Sequence, residues 1–244
     1  TATVDYGAQY TLPVPAYEGF AFAGWFDGDG DNAKKLTDSK GVSYAAWEYL
    51  DEETTLYAKY TKKYYINIEY KGKDGLSTSV GASAQVEEYY VSGEPATFTV
   101  TVEDGYYYGG VYNNNGALVT REKEYTFTMP ASDCTFTIQV YPQTYTLTFE
   151  MNGGTMESTF PVQITYGESF TLPVPYKKAH IFKGWLYNGE LCTNECGESL
   201  STTQITANGK LTASFEVNPA FENYTEITTA EQFMAIAQNP GGVY

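Results

Sequence analysis

The sequence predicts a mainly-β chain, small α+β in class because one short helix closes it, built from tandem modules. Three observations carry this. A segment near the N-terminus recurs near residue 164, short runs of alternating β-branched and aromatic residues lie at steady intervals, and turn residues punctuate those runs.

The repeat comes first in chain order. Shifted by 160, Val4–Trp25 lies on Ile164–Trp185 without a gap, and ten of those 22 positions are identical. They include Tyr6-Gly7 and Tyr166-Gly167, Thr11-Leu12-Pro13-Val14-Pro15 and Thr171-Leu172-Pro173-Val174-Pro175, Phe22 and Phe182, and Gly24-Trp25 and Gly184-Trp185. Gly7 and Gly167 stand where a tight turn needs positive φ. Proline donates nothing to a strand ladder, so Leu-Pro-Val-Pro reads as a sheet edge or a polyproline-like connector. Farther on, Leu56–Tyr60 parallels Leu211–Phe215 at a shift of 155. The five-residue slip is assigned to the loop after the tryptophan.

Between the copies, Tyr64–Tyr70, Ala96–Val102, Tyr106–Tyr112, Glu124–Met129 and Thr135–Tyr141 read as strands. Asp74-Gly75, Asp104-Gly105 and Asn113-Asn114-Asn115-Gly116 read as turns. The second copy is preceded by an alternating strand, Tyr145–Met151, and the turn Asn152-Gly153-Gly154. An equivalent strand for the first copy would precede Thr1. Near the C-terminus Thr228 with Glu231 forms a capping-box pattern. Phe233, Ile236 and Ala237 follow at helical spacing, and Asn239-Pro240-Gly241-Gly242 is the stop signal. The expected domains are 1–61, 62–142, 143–217 and a truncated further domain at 218–244. The chain opens without Met or a signal peptide and reads as a piece of something longer.

Composition excludes more than it assigns. Lys+Arg of 14 against Asp+Glu of 30 gives a net charge of −16, with no basic stripe beyond short lysine pairs, so nucleic acid is excluded as a partner. No apolar run approaches the roughly 18 residues of a membrane span, so membrane insertion by this segment is not expected. Forty aromatic residues can fill real cores. Trp25 and Trp185 are read as core anchors, because burying one indole removes about 150–250 Å² from water in a small module.

Candidate chemistry is sparse. Asp27, Asp29 and Asp31, with Asp38, fall at the first, third, fifth and twelfth positions of a calcium loop. Asn32 stands where that loop needs glycine, and a solvated acidic loop is the competing reading. Cys192 and Cys196, four apart, form a disulfide only if a turn brings their Cα atoms within about 7 Å, and spacing leaves this open. Cys134 reads as a small hydrophobe in a strand. His180 replaces Phe20 of the other copy, which favours packing over catalysis. No catalytic, cofactor-binding or metal-binding residue is assigned, and no cofactor is expected. Adjacent tyrosines (Tyr64-Tyr65, Tyr89-Tyr90, Tyr106-Tyr107-Tyr108) point to opposite strand faces, so one of each set is open to solvent. Cross-strand packing and ligand stacking are the two readings for these rings, and for Trp47.

The ordered series of a strand, Asn152-Gly153-Gly154, Tyr166-Gly167, Leu172-Pro173-Val174-Pro175, Phe182-Lys183-Gly184-Trp185 and a closing Leu211–Phe215 strand resembles the Listeria–Bacteroides repeat, also called the internalin B-repeat. The central unit, through Glu103-Asp104-Gly105-Tyr106 and Tyr125–Asp133, resembles the divergent branch of that family but has Gly110-Val111-Tyr112 in place of the Gly-Trp pair. The resemblance implies β-grasp-like modules along a secreted bacterial cell-surface protein. It also implies a non-enzymatic role as stalk, spacer or adhesive segment at the cell wall. Tandem modules that touch mainly their neighbours imply an elongated rod. The implied partners are an unidentified extracellular protein or glycan and the neighbouring domains of the same parent chain. The alternative function is a carbohydrate- or host-protein-binding module that uses exposed Tyr or Trp side chains.

Overall fold

The computed structural model describes residues 2–50, 53–157, 161–221 and 227–236. Backbone contacts divide the chain into two units. One takes the residues up to Asp104 together with Tyr108–Tyr141, and the other takes Gly105–Tyr107 with the residues from Pro142 onward.

In the first unit, β1 (Phe20–Phe26) and β2 (Tyr57–Tyr64) form an antiparallel pair. Phe22 lies opposite Tyr60, and the register slips by one residue between Phe22 and Gly24. Such a bulge twists the strand and re-aims the side chains beyond it, here Trp25. Eight strands follow: β3 (Ile66–Lys71), β4 (Ala82–Gln85), β5 (Tyr90–Val91), β6 (Pro95–Val102), β7 (Tyr106–Asn113), β8 (Leu118–Thr120), β9 (Glu124–Thr128) and β10 (Cys134–Pro142). β5 pairs with the end of β2, through Lys63 opposite Val91. The order β4-β6-β9 makes one sheet and β3-β10-β7-β8 another, with β3 and β10 parallel. Strand period dictates the core between them. Ala96, Phe98 and Val100 of β6 are buried at every second position, as are Phe136, Ile138 and Val140 of β10. The Phe98 ring meets Phe136 at 5.2 Å and Tyr125 edge-on at 5.8 Å.

The second unit holds β11 (Thr144–Glu150), β12 (Val162–Thr165), β13 (His180–Tyr187), β14 (Glu190–Leu191) and β15 (Gly209–Val217), in the order β12-β11-β15-β13-β14. β11 is antiparallel to β12 and parallel to β15, with Leu147 opposite Gly209 and Phe149 opposite Leu211. β13 and β15 repeat the β1–β2 register, again with a slip between Phe182 and Gly184. Leu147, Ile164, Leu172, Phe182, Trp185 and Leu211 meet in one buried cluster.

The helix α1 (Ala230–Ile236) forms where expected, but its cap is one residue later than the sequence implied. Thr229, not Thr228, caps it: Gln232 N–H donates to Thr229 Oγ1 at 3.2 Å, and Gln232 Oε1 accepts from Thr229 N–H at 3.0 Å and Thr228 N–H at 2.7 Å. Gln232 closes a reciprocal box that Glu231 cannot reach from its own position. Ala237 and the Asn239–Gly242 stop lie outside the described residues.

Candidate functional site

Each repeat is organised around its tryptophan. In the second, Trp185 is fully buried. Its indole N–H donates to the Pro173 carbonyl at 2.9 Å, and its backbone N–H donates to Thr193 Oγ1 at 2.9 Å. Phe182 meets the ring edge-on at 5.6 Å, and Phe149 of β11 covers it at 4.8 Å. The first repeat copies this polar frame. Trp25 donates through its indole to the Pro13 carbonyl at 2.9 Å and through its backbone to Thr37 Oγ1 at 3.0 Å, with Phe22 at 5.7 Å. Leu-Pro-Val-Pro is thus a connector whose first proline carbonyl holds the indole.

The two stations differ in what covers the ring. Among the described residues nothing in the first repeat takes the place of β11, and Trp25 is only half-buried. A cavity of about 580 Å³ lies there, walled by Leu12, Pro13, Trp25, Trp47, Thr54 and Leu56 and bordered by Ala2–Val4. Thr54 Oγ1 is buried without a hydrogen-bond partner.

A second shared motif escaped the sequence comparison. Thr37-Asp38-Ser39-Lys40-Gly41-Val42-Ser43 and Thr193-Asn194-Glu195-Cys196-Gly197-Glu198-Ser199 form the same turn. Asp38 Oδ1 accepts from Lys40 and Val42 N–H, as Asn194 Oδ1 accepts from Cys196 and Glu198 N–H. Ser43 and Ser199 each bind the backbone N–H of the aromatic at position 10 or 170. The shift here is 156, so four of the five slipped residues fall in the loop after Trp25 and the last falls beyond Tyr44.

The candidate calcium residues are divided among separate structures. Asp27 closes its own loop: Oδ1 accepts from Lys34 N–H at 2.7 Å and Oδ2 from the Tyr49 hydroxyl at 3.0 Å. Burial and that carboxylate hold the Tyr49 hydroxyl at a pKa of about 12. Asp38 serves the turn above, and Asp29 and Asp31 are exposed. Among the described residues no three His, Cys, Asp or Glu side chains converge as a metal site. His180 Nδ1 lies 2.8 Å from the Lys178 carbonyl and its ring packs edge-on to Phe215.

All three cysteines are free thiols. Cys192 matches Leu36 of the first repeat and is buried, whereas Cys196 is exposed on the turn; Cys134 is half-buried against the central core. Burial pushes the Cys192 thiol from its ordinary 9.0 up to about 11. At pH 8, iodoacetamide is therefore expected to alkylate Cys196 and leave Cys192 unmodified until denaturant is added, as read by peptide mass spectrometry. The raised pKa also means that the unfolded thiol ionises first, so stability of the second repeat falls as pH rises from 9 towards 11.

Of the paired tyrosines, Tyr65 and Tyr107 are exposed while Tyr90 is buried and donates its hydroxyl to the Thr97 carbonyl at 3.0 Å. Trp47 is half-buried, edge-on to Tyr10 at 5.4 Å and beside Tyr49 at 4.9 Å.

The Listeria-Bacteroides repeat domain model matches residues 1–59 and 145–214, together more than half of the chain. The chain belongs to the Listeria-Bacteroides repeat family. Residues 76–140 match the divergent InlB B-repeat domain, so the central unit is a divergent B-repeat between two regular ones. Among curated proteins, a putative Gly-rich membrane protein of Evansella cellulosilytica is 29% identical over 205 residues, covering 82% of this chain. The chain spans 22% of that relative's length. Among solved structures, domains 3–4 of the Streptococcal High Identity Repeats in Tandem, from a cell surface protein, are similar at 14% identity and a TM-score of 0.20. That match covers 63% of this chain and 98% of that one. Among the described residues of this B-repeat chain no helix is long and apolar enough to cross a membrane.

Proposed function

We propose that this chain is a non-enzymatic spacer of a bacterial cell-surface protein, exposed outside the cell, that sets a functional region at a distance. The observation that supports it most is how the two regular B-repeats share their residues. The shared positions hold the scaffold: Trp to Pro carbonyl, Trp N–H to Thr, Leu N–H to Gly carbonyl. The side chains that would do chemistry drift between copies, with Phe20 against His180, Leu36 against Cys192 and Lys40 against Cys196. Selection on a reaction centre would hold the reverse set.

Small-angle scattering tests the spacer reading. A compact chain of this length has a radius of gyration near about 18 Å. The spacer is expected to give a clearly larger value and a long-tailed distance distribution, and a compact value overturns it. Recognition of a glycan or host protein through Tyr65 or Tyr107 is the competing function. It gains ground if a glycan array or host-matrix screen shows saturable binding that Tyr65→Ala or Tyr107→Ala abolishes.

A further inference from the structure

We infer that the divergent repeat carries a binding site for one neutral sugar ring, the terminal unit of a glycan. The site is a cavity of about 200 Å³ on the outer face of the β3-β10-β7-β8 sheet, lined by Lys71, Tyr112, Asn113, Asn114, Thr137 and Gln139. The spacer reading holds whether or not this site is filled, and Tyr65 and Tyr107 line no part of it.

Strand alternation builds the floor. Phe136, Ile138 and Val140 face the core, so Thr137 and Gln139 between them face outward. On β7, Val111 is fully buried where the regular repeats have tryptophan, and Tyr112 beside it joins Thr137 and Gln139 at the cavity. β3 adds Lys71, which pairs in register with Gln139. Gly109 makes room for the Gln139 carboxamide, because a Cβ there would collide with Oε1. The Tyr112 hydroxyl donates to that Oε1 at 3.3 Å, which orients the amide so that its NH2 group remains for a ligand.

Two turns wall the cavity, and each is tied by its own side chain. Asp74 Oδ1 accepts from Leu76 N–H at 3.0 Å, and Asn113 Oδ1 accepts from Asn115 and Ala117 N–H, both at 3.0 Å. The backbone adds Gly72 N–H to the Leu76 carbonyl at 2.8 Å and Gly116 N–H to the Asn113 carbonyl at 2.9 Å. Walls held this way need no ordering when a ligand arrives, which lowers the cost of binding.

The groups left over define the ligand. Among the described residues, Thr137 Oγ1, the Asn114 carboxamide and the NH2 groups of Asn113 and Gln139 have no hydrogen-bond partner within the protein. Carboxamides and hydroxyls both give and take hydrogen bonds, as the hydroxyls of a sugar do. The Tyr112 ring adds one apolar surface for the C–H face of such a ring. An anion fits poorly. Lys71 is the one cation among the described lining residues, Glu69 neutralises it at 3.3 Å, and the chain carries a net charge of −16. A peptide strand fits no better. β10 and β7 are paired on both sides and the end of β3 is bridged to Ser77, so no ladder edge is open there. Volume sets the size. Drug-sized ligands take about 300–1,000 Å³, whereas this cavity admits one ring and leaves the rest of a glycan outside.

Nuclear magnetic resonance titration of the isotope-labelled 244-residue chain tests this. The probes are glucose, galactose, mannose and N-acetylglucosamine, with glucuronate and inorganic phosphate as the anionic arm. At least one neutral sugar is expected to shift the amides of Tyr112–Gly116, Thr137 and Gln139 saturably, with a Kd in about the millimolar range. Asn114→Ala and Gln139→Ala should each weaken that binding about tenfold, the loss of one hydrogen bond, and leave the amide spectrum outside the site unchanged. Asn114 is exposed on its turn, so that variant keeps the fold whatever Gln139→Ala does. Four results overturn the inference. In the first, no neutral sugar shifts these amides at up to about 100 mM. In the second, the shifts are the same in the unaltered chain and both variants. In the third, glucuronate or phosphate shifts the same amides as strongly, which assigns the cavity to anions. In the fourth, saturable shifts fall around Tyr65 or Tyr107 instead, which assigns sugar binding to the exposed tyrosines.

Discussion

Trp185→Ala is expected to destabilise the second repeat by about 3–5 kcal/mol, the range for truncating a buried aromatic that leaves a cavity. The ring is fully buried, it is the shared neighbour of Phe149 on β11 and Phe182 on β13, and its N–H is held by the Pro173 carbonyl. Alanine removes both aromatic contacts and leaves that carbonyl without its donor, so three segments lose their common anchor. Trp25→Ala is expected to cost about 1–3 kcal/mol, because Trp25 is only half-buried and less contact is lost. Amide hydrogen exchange along β13 and β15, against β1 and β2, separates the two effects in the full chain without relying on tryptophan emission. Equal losses in the two repeats would show that the covering strand contributes nothing to how the indole is held.

That asymmetry also marks the limit of what a linear reading reaches. The strands of the central unit were legible because the pattern of Ala96–Val102 and Thr135–Tyr141 alternates without interruption, and alternation is what two facing sheets impose. Short strands such as β5 and β8, two and three residues long, carry too few positions to show a period. The parallel pairing of β11 with β15 was hidden for a different reason. The partners lie some sixty residues apart, and nothing local in Tyr145–Met151 announces them. The tryptophan, glycine and proline positions stood out because they repeat without a gap. The Thr-to-Ser turn at 37–43 and 193–199 did not, because ten residues separate Trp25 from Leu36 in one copy and six separate Trp185 from Cys192 in the other, which changes the shift to 156 just before it. The cap moved from Thr228 to Thr229 because two adjacent threonines offer the same pattern one residue apart, and Gln232 reaches back where Glu231 does not.

That overlooked turn sets the second large effect. Gly197→Ala is expected to cost about 3 kcal/mol or more, combining a disfavoured φ with a backbone collision. Gly197 has φ +81°, and a Cβ there would sit well inside contact distance of the Leu172 carbonyl oxygen. The obstacle is backbone, which cannot swing aside as a side-chain tip can. Relief requires parting the two segments, and that breaks the bond from Leu172 N–H to the Gly197 carbonyl at 2.8 Å. Leu172 is itself buried against the Trp185 cluster, so the disturbance passes from a surface turn into the core. Gly41 repeats the arrangement against Leu12, with φ +80° and a bond of 2.9 Å, so Gly41→Ala should behave alike in the first repeat. Gly167→Ala is the control. Its φ is +77°, yet nothing lies within 4 Å of the added carbon, so only the conformational cost of about 1 kcal/mol applies. Urea unfolding of the three variants, with exchange of the Leu172 amide followed in parallel, reads the difference. Comparable losses for Gly167→Ala and Gly197→Ala would mean that the close approach of the turn to Leu172 carries no energetic weight, and that positive φ alone explains why both repeats have glycine there.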